Sequence, residues 1–313
     1  MAGRVPSGRA PDERGAERAA AGSATKRVER RLFLGGLPRR FIKEQPLGAF
    51  GGVVLLALVL VSIFAPYLAG HDPNQMTLAD RLQGPSGEYP LGTDQLGRDF
   101  LSRLIYGARI SLFVGLAATT LHVVVAVLIG GTAGFIGGKL DLLVQRFVDA
   151  WMSFPGLLLL LTIMSIAGQG LLQIIVILGV SSGITNSRVV RGAVIGIKEN
   201  DYFQAAQAIG ERTFATLLRH VLPNIMAPII VIFSITIGGI IVAEASLSFL
   251  GFGLPPGVPS WGGMLSREGR QYMEMAPRLA IWPGLCLTIV VYSINMFGDA
   301  LRDLLDPRLR GSV

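Results

Sequence analysis

Gly179-Val180-Ser181-Ser182-Gly183 has the G-x-S-x-G spacing that presents a serine nucleophile for acyl transfer or hydrolysis. That chemistry needs a strand, a strained turn and a helix at the edge of an α/β sheet. Here the five residues lie inside an apolar run, where no such turn is expected and where Ser and Gly serve helix packing. A membrane-embedded hydrolase using Ser181 is therefore a distant alternative. The G-x-x-x-x-G-K-[ST] phosphate loop does not occur in the sequence. His71, His122 and His220 are far apart, and no Cys/His cluster has zinc spacing. Cys286, the one cysteine, has no partner for an intrachain disulfide and reads as a small apolar filler. The chain is expected to catalyse no bond chemistry, to bind no metal and to carry no cofactor of its own.

Two further sets of residues are candidates for a role in binding or movement. Glu244 and Ser246 sit near the end of the apolar run Ile240–Ser246. A carboxylate there is costly and should face a partner, a cavity or the membrane boundary. One reading puts Glu244 and Ser246 on a solute path or gate. The other hydrates Glu244 at the boundary or pairs it with a loop arginine. Gly92-Thr93-Asp94, followed by Gly97-Arg98-Asp99, places two acids and an arginine in a glycine-bounded turn, which reads as a self-paired, ordered loop.

The elements that must hold these residues are membrane helices. The chain has 313 residues, 51% of them hydrophobic and 16% charged. Its apolar residues form six blocks near 47–68, 110–135, 148–167, 171–187, 228–249 and 280–298. About twenty apolar residues cross a bilayer as a helix, and lipid forces each segment to satisfy its own backbone. The expected fold class is an all-α membrane protein with six transmembrane helices. Gly130, Gly134 and Gly138 recur every fourth residue, a spacing that lets two helices approach closely, either within the chain or at a subunit interface. Pro155 falls near the start of the third span, and Trp151 suits a membrane interface.

Charge orients the spans. Of 28 Lys and Arg, 21 lie in the N-terminal stretch 1–45, the link 137–147, the segment 188–220 and the C-terminal stretch. The remaining arginines are Arg81, Arg98, Arg103, Arg109, Arg267, Arg270 and Arg278. Positive residues mark the cytoplasmic side, so both termini are expected in the cytoplasm. Residues 69–106 and 250–278 are then extracytoplasmic loops. Residues 1–44 read as a disordered, basic cytoplasmic tail ahead of a membrane domain, 45–311. The net charge of +7 is accounted for by orientation and by anionic lipid headgroups, and no nucleic-acid partner is expected.

A polar island, 188–220, interrupts the apolar runs. It is far longer than a turn requires. Asp201, Gln204, Gln207 and Glu211 form a polar face at helical spacing, opposite Ala205, Ala206, Ala208 and Ile209. A membrane-surface helix would use bulkier residues and more Lys or Arg. Small alanines favour close approach of another protein, and Gly210 is placed to end the helix.

Asp201 to Gly210 resembles the coupling loop of ABC importer permeases. Leu91–Asp99, Ala245–Gly253 and Phe297–Asp303 carry the same resemblance. Together they resemble the C-type permease of dipeptide/oligopeptide ABC importers over roughly residues 40–311. The resemblance implies the binding-protein-dependent, MetI-like permease fold in the plasma (inner) membrane of a prokaryote. It implies a second, homologous permease, two cytosolic ATPase subunits that hold ATP and Mg, and an extracytoplasmic solute-binding protein as partners. It also implies that Asp201, Tyr202, Gln204, Ala205, Ala206, Ala208 and Gly210 dock on an ATPase. The loop's usual acid is Gln204 here, which keeps size and hydrogen bonding without charge. The implied function is half of an alternating-access pathway for di- or oligopeptides, with nickel chelate, glutathione or opine import as the alternative.

Overall fold

The computed structural model describes residues 45–201, 203, 219, 221–266 and 270–305. The tail 1–44 and the C-terminal residues beyond 305 lie outside them. The described residues are helical, with one isolated backbone bridge, Thr93 to Asp99. Helix α1 spans Pro46–Ile63 and α2 spans Phe100–Ala126. After α2 the chain continues through a π-helical turn, Val127–Gly131, and a short helix, Thr132–Ile136, so that Phe100–Ile136 forms one 37-residue span. Next come α3 (Gly138–Met152), α4 (Gly156–Ala167), α5 (Leu171–Lys198), α6 (Met226–Phe249) and α7 (Arg278–Leu305).

Five of these segments are long and apolar enough to cross a membrane: α1, the α2 span, α5, α6 and α7. The block expected at 148–167 is broken. Helices α3 and α4 meet at an 89° bend, and the sixth span exists only if the pair counts as one. Pro155 explains the break. It sits at the N-cap of α4 with an extended ψ of 119°, and it offers no N–H to continue α3. Helix α4, with 12 residues, reaches about 18 Å at 1.5 Å per residue, short of the roughly 30 Å hydrocarbon core. The span expected at 171–187 is longer than its apolar run, because α5 continues through Arg188 and Arg191 to Lys198. The first third of the expected 188–220 segment is therefore helix continuous with a span.

Helix α5 packs along α2, and the contact is close because glycines line it from both sides. A Cβ on Gly130 would overlap the backbone of Ser187, and one on Gly134 would lie 2.9 Å from the Arg191 carbonyl. From α5, a Cβ on Gly179 would come within 2.9 Å of the Ala118 carbonyl, and one on Gly183 within 2.6 Å of the Val125 Cβ. Gly138 does not join this seam. The helix ends at Gly137, whose φ of +72° turns the chain away, and Gly138 faces open space. The four-residue spacing thus holds for two glycines and stops where the backbone leaves the helix.

Three apolar clusters stack along the bundle. One, around Phe100, Leu104, Trp261 and Leu279, lies at the end of the bundle that carries the 69–99 and 250–277 loops. A second, around Val114, Met164, Leu178 and Leu247, joins α2, α4, α5 and α6. The third, around Ala126, Val190, Phe203, Val221 and Ile229, closes the opposite end. Outside these clusters large apolar side chains remain exposed, among them Phe50, Leu56, Leu116 and Ile289, as lipid-facing surface requires.

Replacing Gly130 by Val is expected to force α2 and α5 apart and to cost about 1–3 kcal/mol or more from overpacking. Gly192→Ala, on the same helix but against open space, is the matched control and should be neutral or slightly stabilising. Thermal unfolding in detergent distinguishes the two.

Candidate functional site

The expected coupling segment is seen at its two roots. Asp201 is helical and exposed, whereas Tyr202, Gln204, Ala205, Ala206, Ala208 and Gly210 lie outside the described residues. The structure adds Phe203, which the sequence reading passed over. Its side chain is 1% exposed and meets Phe135 edge-on, with ring centroids 6.1 Å apart. On the return, Val221 and Ile225 enter the same cluster. Phe203 and Val221, 18 positions apart in the chain, therefore rest on one apolar patch. Polar groups secure the exit. Lys198 Nζ donates to the Phe135 carbonyl at 2.8 Å, where the α2 span ends. The Asn200 side-chain amide donates to the Gly196 and Ile197 carbonyls at 3.2 Å, capping α5. Phe203 stands beside Tyr202 between Asp201 and Gln204, and an aromatic pair in a polar stretch was the signal available for it.

The segment's other support is α3. Arg191 grips Asp141 through two parallel N–H bonds, and Arg188 pairs with Asp149. Both arginines sit on the part of α5 that extends beyond its apolar run.

At the opposite end, the Gly92–Asp99 turn pairs with itself. Asp94 Oδ1 accepts from the backbone N–H of Leu96 at 2.8 Å and of Arg98 at 3.0 Å. Its Oδ2 faces Arg98 Nε at 2.6 Å and Arg103 Nε at 3.4 Å. Asp99 caps α2 by accepting from Ser102 N at 2.9 Å. Thr93, Asp94, Arg98 and Asp99 are all buried. Gly97 adopts φ +72°, and any Cβ there would collide with the Thr77 backbone. Gly92, also at positive φ, lies against Gln83 in the same way. Beside this turn Tyr89 donates to Asp80 at 3.4 Å. Desolvation, with Glu88 and Asp80 nearby, raises its pKa above the ordinary phenol value, so the hydroxyl keeps its proton.

The loop after α6 is not wholly external. Its helical turn Trp261–Met264 inserts between α2, α6 and α7. Trp261 Nε1 donates to the Leu104 carbonyl at 3.0 Å, and the indole occupies the space opened by Gly107, whose Cβ would lie 2.9 Å from it. Ser260 caps the turn by accepting from Gly263 N at 3.1 Å. Glu244 faces this inserted turn. It is fully buried, and its Oε1 accepts from Ser248 Oγ at 2.8 Å. Among the described residues it forms no ion pair with a loop arginine. Glu244 and Ser246 thus point to different surroundings. Ser246 is half-buried, donates to the Val242 carbonyl at 2.8 Å, and lines an apolar groove of about 710 Å³ between α6 and α7. Thr288, Tyr292 and Asn295 line the same groove. Ser181, Ser182 and both glycines of the nucleophile-like motif lie in the continuous helix α5, with no strand or strained turn to expose a serine.

Truncating Asp94 to Ala leaves Arg98 and Arg103 buried beside a lost countercharge. The expected destabilisation is about 3–5 kcal/mol, read as a fall in the unfolding midpoint, with Asp94→Asn intermediate. Phe203→Ala should cost about 3–5 kcal/mol locally by opening a cavity. Its readout is faster limited proteolysis between Lys198 and Arg219 with the spans still protected.

Comparison with known proteins places these features in a family. Residues 126–311 match the family described as binding-protein-dependent transport system inner membrane component. Residues 39–85 match the N-terminal TM domain of oligopeptide transport permease C. The chain is 37% identical over 269 residues to the dipeptide transport system permease protein DppC of Alkalihalophilus pseudofirmus, covering 86% of this chain and 88% of that protein. It is 38% identical to the glutathione transport system permease protein GsiD of Pectobacterium atrosepticum, over 87% of this chain and 90% of that one. To the oligopeptide transport system permease protein OppC of Bacillus subtilis it is 35% identical, over 93% and 95%.

Proposed function

The chain belongs to the family of binding-protein-dependent transport system inner membrane components, and from that premise we propose that it imports di- or oligopeptides as one permease subunit of an ATP-driven transporter. It is a multi-pass protein of the prokaryotic plasma membrane. Peptide as the solute class is supported by the dipeptide and oligopeptide permeases that align with it over most of their length.

In this reading the protein forms half of a translocation pathway, and a homologous permease supplies the other half. The groove at Ser246, Thr288, Tyr292 and Asn295 is this chain's share of the path. A mainly apolar wall with few polar side chains suits solutes that share a backbone and vary in side chain. ATP and Mg are held by two cytosolic ATPase subunits, and an extracytoplasmic binding protein delivers the solute. The Gly92–Asp99 turn and the inserted Trp261 turn give that delivery face a fixed shape.

Coupling runs through residues 201–210. Asp201, Tyr202, Gln204, Ala205, Ala206, Ala208 and Gly210 dock on an ATPase, with both termini on the same side. The observation that carries this is the shared apolar base of Phe203, Val221 and Ile225. A segment rooted at both ends on one patch transmits a push to α5 and α6 together. ATP binding then favours one of two arrangements of the permease pair, and solute binding or release biases the other. Gln204 docks by hydrogen bonding and contributes no charge.

Glutathione is the second reading, favoured by the 38% identical glutathione permease. Competition of labelled dipeptide uptake by glutathione, in vesicles containing the assembled importer, separates the two.

Ala205→Glu or Ala206→Glu is expected to leave the protein in the membrane and ATP hydrolysis running, while uptake falls by roughly tenfold or more, about 1.4 kcal/mol of lost coupling. Uptake at the normal rate would remove the docking assignment.

A further inference from the structure

Helix α3 (Gly138–Met152) has two faces with different fates. At 100° per residue, Asp141, Gln145 and Val148 share the side that meets the bundle, where Val148 is fully buried and Asp141 is held by Arg191. Leu140, Leu143, Phe147 and Trp151 follow one another at steps of three and four along a separate arc. Leu143 is 73% exposed and Phe147 53% exposed. Phe147 and Trp151 lie ring against ring, with centroids 6.1 Å apart, so the arc ends in an aromatic pair. Lys139 and Arg146 stand at the edge of the arc farthest from the bundle, and both are exposed. Arg146 also meets Asp149 at 3.4 Å, a surface pair that costs little to exchange.

We infer that α3 is a membrane-surface helix that buries Leu140, Leu143, Phe147 and Trp151 at the acyl boundary and binds anionic lipid headgroups with Lys139 and Arg146. Three observations point to lipid as the occupant. The helix lies at 89° to α4, so a bilayer that takes α4 along its normal has α3 along its plane. The arc is followed along the chain by exposed Phe154 and Leu158, large apolar side chains of the link and of the next apolar segment. Its composition, with Leu, Phe and Trp on one face and Lys and Arg on its rim, is that of an interfacial helix. The link also lies on the side where the sequence concentrates its positive charge, the side on which anionic lipid attracts Lys and Arg. Gly137 and Gly138, both at positive φ, make the turn from span to surface.

The arrangement has a consequence for transport. Asp141 and Asp149 tie α3 to Arg191 and Arg188 on the extension of α5 that leads to Asp201. A helix floating on the headgroups therefore braces the root of the segment 201–210. The inference concerns lipid contact and stands or falls separately from the docking of that segment.

The test places a nitroxide label on the full chain in lipid nanodiscs, with Cys286→Ser as background and single cysteines at Leu143, Phe147 and Arg146. Collision with oxygen should exceed collision with a water-soluble nickel chelate at 143 and 147, and the order should reverse at 146. Raising phosphatidylglycerol in phosphatidylcholine should increase the oxygen preference at 143. Lys139→Glu with Arg146→Glu should abolish that response. Dominant nickel collision at 143 and 147 overturns the inference. So does a label exposed in the chain alone but shielded from both reagents once co-purifying subunits are present, since that assigns the arc to a protein partner. An unchanged phosphatidylglycerol response in the double variant overturns the headgroup contact. A second measurement needs no cysteine background. Lipids brominated near the headgroup end of the chain should quench Trp151, isolated by subtracting a Trp151→Phe variant, more than lipids brominated near the terminal methyl. Equal or absent quenching again overturns the assignment.

Discussion

The backbone-to-backbone contact between α2 and α5 is the interaction on which the rest of the structure depends. Lipid gives helices no hydrophobic reason to associate, so close van der Waals contact must hold them. Gly130, Gly134, Gly179 and Gly183 supply it by having no side chain of their own, so that the backbone and Cβ atoms of the facing helix come close. With α5 fixed on α2, its extension carries Arg188 and Arg191 to the acids of α3, and Lys198 to the carbonyls that end the α2 span. The base under Phe203 and Val221 forms where these parts converge. The glycines of the nucleophile-like motif thus have a physical task with no chemistry in it.

The two ends of the bundle are stiffened by different means. At the loop end, buried ions do the work. Asp94 faces Arg98 and Arg103, and both arginines are buried with it, an arrangement that is rigid because no member can leave without stranding another. The inserted Trp261 turn adds an aromatic plug against Gly107. At the other end the ion pairs are partly exposed and lie between helices. Half-exposed pairs exchange partners at small cost.

Much of this was legible in the sequence, because bilayer thickness imposes span lengths that composition reveals directly. The helical nature, the long spans and the self-paired acid–arginine turn all follow from residue type and spacing. What escaped was of a different kind. The break at Pro155 was hidden because apolar residues on both sides of it made one continuous block, though they belong to two helices at right angles. Trp261 looked like a loop residue, since nothing local says that Gly107, 154 positions earlier in the chain, has left a slot for it. Gly138 kept the four-residue period of Gly130 and Gly134, but period cannot show that Gly137 has already turned the backbone away. Phe203 was masked by its polar neighbours. In each case the missing information was a contact distant in sequence or a single backbone angle.

The π-helical turn at Val127–Gly131 has a consequence for how the long α2 span can vary. A π turn holds one residue more than an α turn, so it works as a phase adjuster. The N-terminal part of the span is set by Gly107 against the Trp261 turn and by Gly115 against Ile241, and the C-terminal part by Gly130 and Gly134 against α5. Each part needs its own rotational setting, and the extra residue reconciles the two. Straightening this stretch into plain α-helix with every residue retained would swing one half by about 100° against the other, whereas loss of one residue here would let the α-helix resume with both settings kept. One rod thus serves two mating surfaces that an unbroken α-helix could not satisfy at once.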